Sequence, residues 1–381
     1  MDVRLSEEQA LIRDSLARYL ASEYDIDARR RALASPAGWD AGLWRQLGQQ
    51  LGILTAPFAE RFGGLGGQPL DLLVLAEELG RGLLIEPYLS TVLMAGWLLE
   101  RHGDDAQQGL LSQVASGDML IACGLYEAEG RYDPSHVATR AVTDGQGGFF
   151  VDGNKALVYA APWASHMIIS ARTDGGVNDT AGITLFLIEK ARPGVALRGY
   201  PTVDGYQAAE LSLRQARLGA SDAIGKVGAG HDLIDHVIDR ATAAVCAEAL
   251  GVLARLYEDT LGYARERRQF GRRLADFQVL RHRIADLWVS LEEARSMAAA
   301  AVLSLNAAPA ERRRAVSAAK LCIGEACRFI GQQAIQIHGA IGITEELALG
   351  AYFKRAMVIE RQFGPPDYHL RRYRAAAENV Q

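Results

Sequence analysis

The residues at 280, 284, 287, 291, 294, 298, 301 and 305 are Leu, Ile, Leu, Leu, Ala, Ala, Ala and Leu. That 4-3-4-3 spacing lines one face of a long helix and does not fit the period-two pattern of a strand. The seam is narrow and apolar, the kind that packs against neighbouring helices in a bundle. It speaks to core packing and carries no chemistry, so function has to be sought elsewhere in the chain.

The remaining sequence changes texture twice. Ser6-Glu-Glu-Gln reads as a capping box ahead of Leu11, Ile12, Leu16, Tyr19 and Leu20 at helical spacing, which predicts an N-terminal helix. Helical patterns follow over 44–54, 70–79 and 90–100, broken by Phe62-Gly63-Gly64-Leu65-Gly66-Gly67 and by Glu86-Pro87. After Asp118 the pattern shortens to β-like runs at 148–151, 167–171, 183–188 and 210–213, set between Asp-Gly and Gly-Gly turns. From about Gly230 the helical period returns. The expected organisation is α+β: an N-terminal helical domain over 1–117, a middle β domain over 118–225 and a C-terminal four-helix bundle over 226–381.

Composition excludes several function classes. A chain of 381 residues, 49% hydrophobic and 23% charged, builds folded cores rather than a disordered tail or a rod. Its net charge of −5 and its scattered basic residues give no polyanion-binding stripe, so nucleic acid is not an expected partner. The acidic opening, Met1 to Ala10, lacks the basic and then apolar order of a secretory signal, and no apolar run reaches the roughly 18 residues of a membrane span. The expectation is a cytoplasmic protein without a membrane anchor. Cys123, Cys246, Cys322 and Cys327 form no CxxC pair and sit among apolar or small residues, so buried free thiols are expected and no metal is. Gly225-Lys-Val-Gly228-Ala-Gly230 lacks dinucleotide-binding spacing, and no GxSxG, HExxH or Walker A segment occurs.

Two longer patterns remain. Arg268-Gln269-Phe270-Gly271-Arg-Arg-Leu274-Ala-Asp-Phe277-Gln278 sets a guanidinium beside an aromatic residue and a glycine turn, an arrangement suited to a pyrophosphate; alone it also fits a solvated basic helix end. In Gln336-Ile-His338-Gly339-Ala340-Ile-Gly342-Ile-Thr344, an apolar helix ends in closely spaced glycines whose backbone lets a ligand approach; His338 alone reads as a helix-end or core histidine.

Together these segments resemble the acyl-CoA dehydrogenase family, whose signature includes RxQFGxxLxxFQ. The likeness runs the whole length, through Leu43-Trp44-Arg-Gln-Leu47, Glu77-Glu-Leu-Gly80-Arg81, Lys155 and Tyr200-Pro-Thr-Val-Asp204-Gly205. Within the family the chain is similar to pimeloyl-CoA dehydrogenase small-subunit-like proteins, through Gly130-Arg-Tyr-Asp133, Val137-Ala-Thr139, Ala244-Val-Cys-Ala-Glu248 and Phe363-Gly364 followed by His369-Leu-Arg-Arg. The resemblance implies FAD at a subunit interface, oxidation of an acyl-CoA to its 2,3-enoyl form, an electron-transfer flavoprotein or similar acceptor, and a homologous subunit in a dimer or tetramer. It assigns Arg268, Gln269, Phe270, Leu274, Phe277, Gln278, Gln336, Gly339 and Ala340 to a neighbour's FAD. Leu125, Tyr126, Val158 and Tyr159 it assigns to the flavin ring in the same chain.

The same comparison exposes departures. The family's usual base position, counted from Ala356, falls on Phe363; the position used by a minority of members, counted back from Phe270, falls on Ala241. Tyr126 to Asp133 and Leu157 to Ala160 replace segments that elsewhere carry a threonine and a tryptophan at the ring. Three readings stay open: a base-less subunit serving a base-bearing large subunit, a homomer whose base is Glu248 or Glu360, and a flavin-free scaffold.

Overall fold

The computed structural model describes residues 5–378; the first residues of the acidic opening, 1–4, lie outside them. Helices come first: α1 (Glu7–Glu23), α2 (Ile26–Ala34), α3 (Ala41–Gln49), α4 (Pro69–Arg81), then α5 (Trp97–His102), α6 (Asp105–Gly109) and α7 (Leu111–Ala115). Strands β1 (Ile121–Gly124), β2 (Arg140–Thr143), β3 (Phe149–Tyr159), β4 (His166–Arg172), β5 (Ile183–Glu189), β6 (Val195–Pro201), β7 (Gln207–Leu218) and β8 (Ala223–Ile224) follow. Then come α8 (His231–Glu266), the short strands β9 (Arg268–Gln269) and β10 (Arg272–Arg273), α9 (Gln278–Leu303), α10 (Pro309–His338), α11 (Leu349–Arg361) and α12 (Pro366–Glu378).

These elements form two compact units, each drawn from separate stretches of chain. One comprises residues 1–31, 68–84 and 242–381; the other comprises 32–67 and 85–241. The N-terminal helices are thus shared between two units. No periodicity could reveal that, because it depends on which faces meet.

In the first unit, the Ser6 capping box opens α1 as expected: the Ser6 hydroxyl accepts from Gln9 N, and the Gln9 side chain accepts from Ser6 N. Helix α10 packs against α9, α11 and α12. The seam is buried from Ile284 onward, with Leu287, Ala294, Ala298 and Ala301 fully enclosed. Helices α4 and α8 cross so closely that a methyl group on Gly80 would overlap the Glu248 carbonyl, and one on Gly251 would overlap that of Glu77.

The second unit is built on a sheet in the order β6-β7-β3-β2-β4-β5-β8, with β1 added parallel to β4. A buried π-helix, Leu89–Gly96, covers β1, and Thr91 Oγ1 both donates to the Ile121 carbonyl (3.1 Å) and accepts from Ile121 N (3.2 Å). The expected regular helix over 90–100 therefore begins as a wide turn. The helix expected over 44–54 ends at Gln49, because the chain turns at Gly52 in the left-handed region (φ 65°). Strand β8 is two residues long and antiparallel to β5, so the glycines at 225–230 do not follow the parallel strand of a dinucleotide-binding unit.

The core of this sheet holds an ion pair. Lys155 Nζ donates to Glu127 Oε1 at 2.6 Å and to Ser170 Oγ at 3.0 Å, with both charged side chains buried. Glu127 also accepts from Ala138 N, Thr139 N and Thr139 Oγ1 at 2.7–3.0 Å. Burial raises the Glu127 carboxyl, but Lys155 and the Thr139 donors outweigh it and hold it below the usual range. Burial pushes Lys155 down to about 8 against the pull of Glu127, so the pair is charged at neutral pH. Replacing Glu127 with Gln strands a buried ammonium and is expected to cost about 3–5 kcal/mol by urea denaturation at pH 7. Because the Glu127 carboxyl is depressed, its contribution is complete above the ordinary carboxylate range and is lost as pH falls below it.

Candidate functional site

Three neighbourhoods hold the residues singled out from the sequence. The first is the segment that follows β1 and bonds to β3. Leu125 is buried and Tyr126 half-buried, and the Tyr126 carbonyl accepts from Ala156 N at 2.9 Å, which ties this segment to the strand carrying Lys155. Between Lys155 and Val158 the β3–β7 register slips, and Leu157 takes a left-handed conformation (φ 52°) that leaves it 45% exposed while Val158 is enclosed. Tyr159, next along, is half-buried.

The second neighbourhood is the β9–β10 hairpin. Phe270 (φ 53°) and Gly271 (φ 78°) form a two-residue turn with both residues left-handed, the geometry that matches strand twist and for which glycine suits the second place. Phe270 is 89% exposed at the tip. Phe277 sits under it, edge to face at 6.3 Å, and the Arg272 guanidinium lies over Phe277 at 3.9 Å. Leu274 is half-buried, and Arg268, Gln269 and Gln278 are exposed. Among the described residues, no hydrogen bond or ion pair engages the side chain of Arg267 or Arg268.

The end of α10 lies in the same unit. Gln336 faces solvent, whereas His338 is buried, its Nδ1 bonding the Ala334 carbonyl (2.8 Å) and its ring stacked on Tyr263 at 4.3 Å. Gly339 is left-handed (φ 68°), with nothing within 4 Å of where a Cβ would stand, and Ala340 beside it is exposed. His338 is a helix-end histidine with its nitrogen committed to the backbone.

The third neighbourhood is the segment after α11. Phe363 is buried in a left-handed conformation (φ 61°), followed by Gly364 (φ 120°), where a Cβ would strike the Tyr368 ring. Buried Lys320 donates to the Glu360 and Gly364 carbonyls at 2.9 and 3.0 Å, and His369 Nε2 bonds the Phe363 carbonyl at 3.1 Å. A neutral imidazole donating from Nε2 leaves His369 Nδ1 as a buried acceptor without a partner. Both candidate carboxylates are engaged: Arg355 grips Glu248 in two-pronged fashion at 2.5 and 2.7 Å, and Arg328 holds Glu360 at 2.5 and 3.1 Å. Ala241 is fully enclosed within α8.

Residues 6–118 match the acyl-CoA dehydrogenase N-terminal domain, 122–216 its middle domain and 228–377 its C-terminal domain. The acyl-CoA dehydrogenase IpdE2 of Mycolicibacterium smegmatis is 30% identical over 373 residues, which cover 97% of this chain and 99% of that protein. This chain belongs to the acyl-CoA dehydrogenase family. Among solved structures, the FAD complex of PigA is 26% identical with a TM-score of 0.91 and full coverage of both chains. The ChsE4–ChsE5 complex of Mycobacterium tuberculosis is 26% identical with a TM-score of 0.89, covering 100% of this chain and 99% of that one.

The protein is accordingly an FAD-dependent oxidoreductase of acyl-CoA dehydrogenase type. Its exposed hairpin arginines and open Gly339 backbone suit a phosphate-bearing cofactor, since they combine charge with unobstructed approach. Counting the family signature back from Phe270 places its arginine at Arg267, which the reading on Arg268 passed over; the motif's own spacing was the signal. Among the described residues, no group of three or more His, Cys, Asp or Glu side chains is placed to hold a metal ion, and no helix is long and apolar enough to cross a membrane. All four cysteines are free. Cys246 and Cys327 are enclosed and burial pushes their thiols up to about 12, whereas Cys123 and Cys322 are only half-buried, against expectation.

The segment around Phe363 supplies a pH test. Burial, with Lys320 and Arg372 adding to it, pushes His369 down to about 2. An imidazole depressed in the folded state contributes stability above its unfolded value near 6.5, and that contribution is lost as pH falls below it, because only the unfolded chain takes up the proton. The urea midpoint of the protein is expected to drop between pH 7.5 and 5, both within roughly that titration window, and His369→Gln should flatten the drop. An equal pH dependence in the two proteins would show that His369 is not the group responsible.

Proposed function

We propose that this chain is the base-less subunit of a heteromeric, cytoplasmic acyl-CoA dehydrogenase, completing FAD sites for a base-bearing homologue. The observation that carries the reading is the pair of empty base positions: buried Phe363 and Ala241 stand where relatives place a carboxylate, and neither side chain accepts a proton. Glu248 and Glu360 do not substitute for it, because each is locked in place by an arginine. The likeness to the ChsE4–ChsE5 complex supports an assembly of two related chains.

In this reading the reaction is 2,3-dehydrogenation of an acyl-CoA thioester. FAD, when bound, supplies the hydride acceptor for the β-carbon. The α-proton goes to a carboxylate of the base-bearing subunit. Arg267 or Arg268, with Gln269 and the Phe270 tip, holds the pyrophosphate of the adjoining subunit's FAD, and Phe277, Leu274 and Gln278 set the hairpin's angle. Gln336, Gly339 and Ala340 offer backbone and amide to the same cofactor. Leu125, Tyr126, Val158 and Tyr159 border the flavin ring on this chain's side. An electron-transfer flavoprotein or similar acceptor removes the electrons.

Two measurements test the proposal. The chain alone, assayed with a panel of acyl-CoAs and an artificial acceptor, should turn over about 10²- to 10⁴-fold more slowly than with a base-bearing homologue. Robust turnover by the chain alone, abolished in Glu248→Gln or Glu360→Gln, would refute it. Separately, Arg267→Ala and Arg268→Ala should divide: the arginine that holds the pyrophosphate loses about 1.5–3 kcal/mol of FAD binding, read as flavin lost on dilution, with unchanged melting. If both variants keep their flavin, the hairpin assignment is wrong.

A further inference from the structure

Two helices of the helical unit end beside one another, and each runs directly into a segment that the functional reading gives to FAD. Helix α8 stops at Glu266 and the hairpin carrying Arg267 and Arg268 follows; α10 stops at His338 and Gly339 follows. A cofactor held by both segments needs them at a fixed separation, because charged hydrogen bonds tolerate little displacement.

Tyr263 joins the two ends. Its carbonyl accepts from Arg267 N at 2.8 Å, closing the last turn of α8, and the Arg267 carbonyl in turn accepts from Leu274 N at 2.8 Å, shutting the base of the hairpin. Its half-buried ring lies on the His338 imidazole, with centroids 4.3 Å apart and planes 24° from parallel. Its hydroxyl donates to the His338 carbonyl over a long 3.4 Å. His338 is itself immobilised: its Nδ1 donates to the Ala334 carbonyl at 2.8 Å, and Gly342 comes so near that a Cβ there would stand 3.0 Å from the His338 Cβ. Burial outweighs the bond to Ala334 and holds the imidazole below its ordinary value, so the stacked ring is neutral at pH 7.

The same contacts quiet the end of α10. A helix leaves its last carbonyls without intrahelical partners, and their negative end repels an anion. Here His338 Nδ1, Gly339 N and the Tyr263 hydroxyl bond the carbonyls of Ala334, Ile335 and His338. A phosphate approaching Gly339 meets a helix end whose lone pairs are already engaged.

Resting on the reading that the hairpin and the Gly339 turn hold FAD, we infer that Tyr263 is a positioning residue for that cofactor, setting the two segments at one separation through Arg267 on one side and His338 on the other. Its role is preorganisation. Without the stack both segments keep their own residues, but the freedom they then lose on binding weakens the complex.

The test uses variants of the full-length protein with its copurifying subunit, read by the FAD dissociation constant from flavin fluorescence and by melting of the flavin-free form. Tyr263→Ala is expected to weaken FAD binding about 3- to 10-fold, whereas Tyr263→Phe, which keeps the stack, should stay within about 2-fold of the parent. Tyr257→Ala is the control: it removes a ring of the same helix that packs on Trp288 of α9 at 5.3 Å, and should lower melting without changing FAD affinity. The decisive measurement is coupling. Whichever of Arg267→Ala or Arg268→Ala weakens FAD in the parent should lose most of that effect in the Tyr263→Ala background, since the hairpin is no longer held in register with α10. If Tyr263→Ala does not fold, Tyr263→Leu, which keeps apolar bulk without the stack, is read by the same criteria. Unchanged FAD affinity in the Tyr263 variant overturns the inference. So does an equal loss in Tyr257→Ala, which marks general destabilisation, or strict additivity with the arginine variant, which leaves Tyr263 as a helix-packing residue. If neither arginine variant weakens FAD, the hairpin reading itself fails and the inference falls with it.

Discussion

The carboxylate of Glu127 is the constraint around which the sheet-bearing unit is organised. It accepts hydrogen bonds from two backbone amides, a threonine hydroxyl and a buried ammonium, and so joins the segment after β1, the start of β2 and the middle of β3 at one point. Thr139 and Lys155 are buried, so water does not compete for their donors, and the geometry is over-determined. The residues on either side inherit that rigidity. Tyr126 is fixed through its carbonyl to Ala156, and the bulge that turns Leu157 outward begins right after Lys155. The surface proposed to border the flavin ring is thus positioned by an ion pair that need not touch the ring.

The helical unit uses the same device in reverse. There the buried cations Lys320 and Arg355 do the fastening, one gathering the carbonyls of Glu360 and Gly364, the other clamping Glu248 between α8 and α11. Lys320 and His369 together hold a segment whose central residue, Phe363, sits in a conformation unfavourable for a bulky side chain. In the proposed reading this is the family's base position, retained as shaped, supported backbone with an apolar side chain.

Much of this was legible in the sequence because it is local. The capping box at Ser6, the seam of α9, the turn at Phe270-Gly271 and the absence of a carboxylate at 363 and 241 are statements about spacing and residue type, and spacing is what helices, strands and family motifs record. The family followed from the same kind of evidence. Local reading also left one choice open, Arg268 or the Arg267 that the motif's count gives, since neighbouring arginines are chemically identical until a spacing is enforced.

What only the tertiary structure decided concerns pairing. Sequence could say that Glu248 and Glu360 are carboxylates in helices; it could not say that arginines 107 and 32 positions away hold them. Nor could it show that Arg172 meets six carbonyls while Arg240 meets an indole. The physical reason is that a charged side chain's role depends on whether burial is matched by a partner, and that partner is brought by the fold from a distant stretch of chain. The sequence by itself determined the elements, the family and the residue types at 363 and 241; the fold decided which charges are met by a partner and which lies against an aromatic ring.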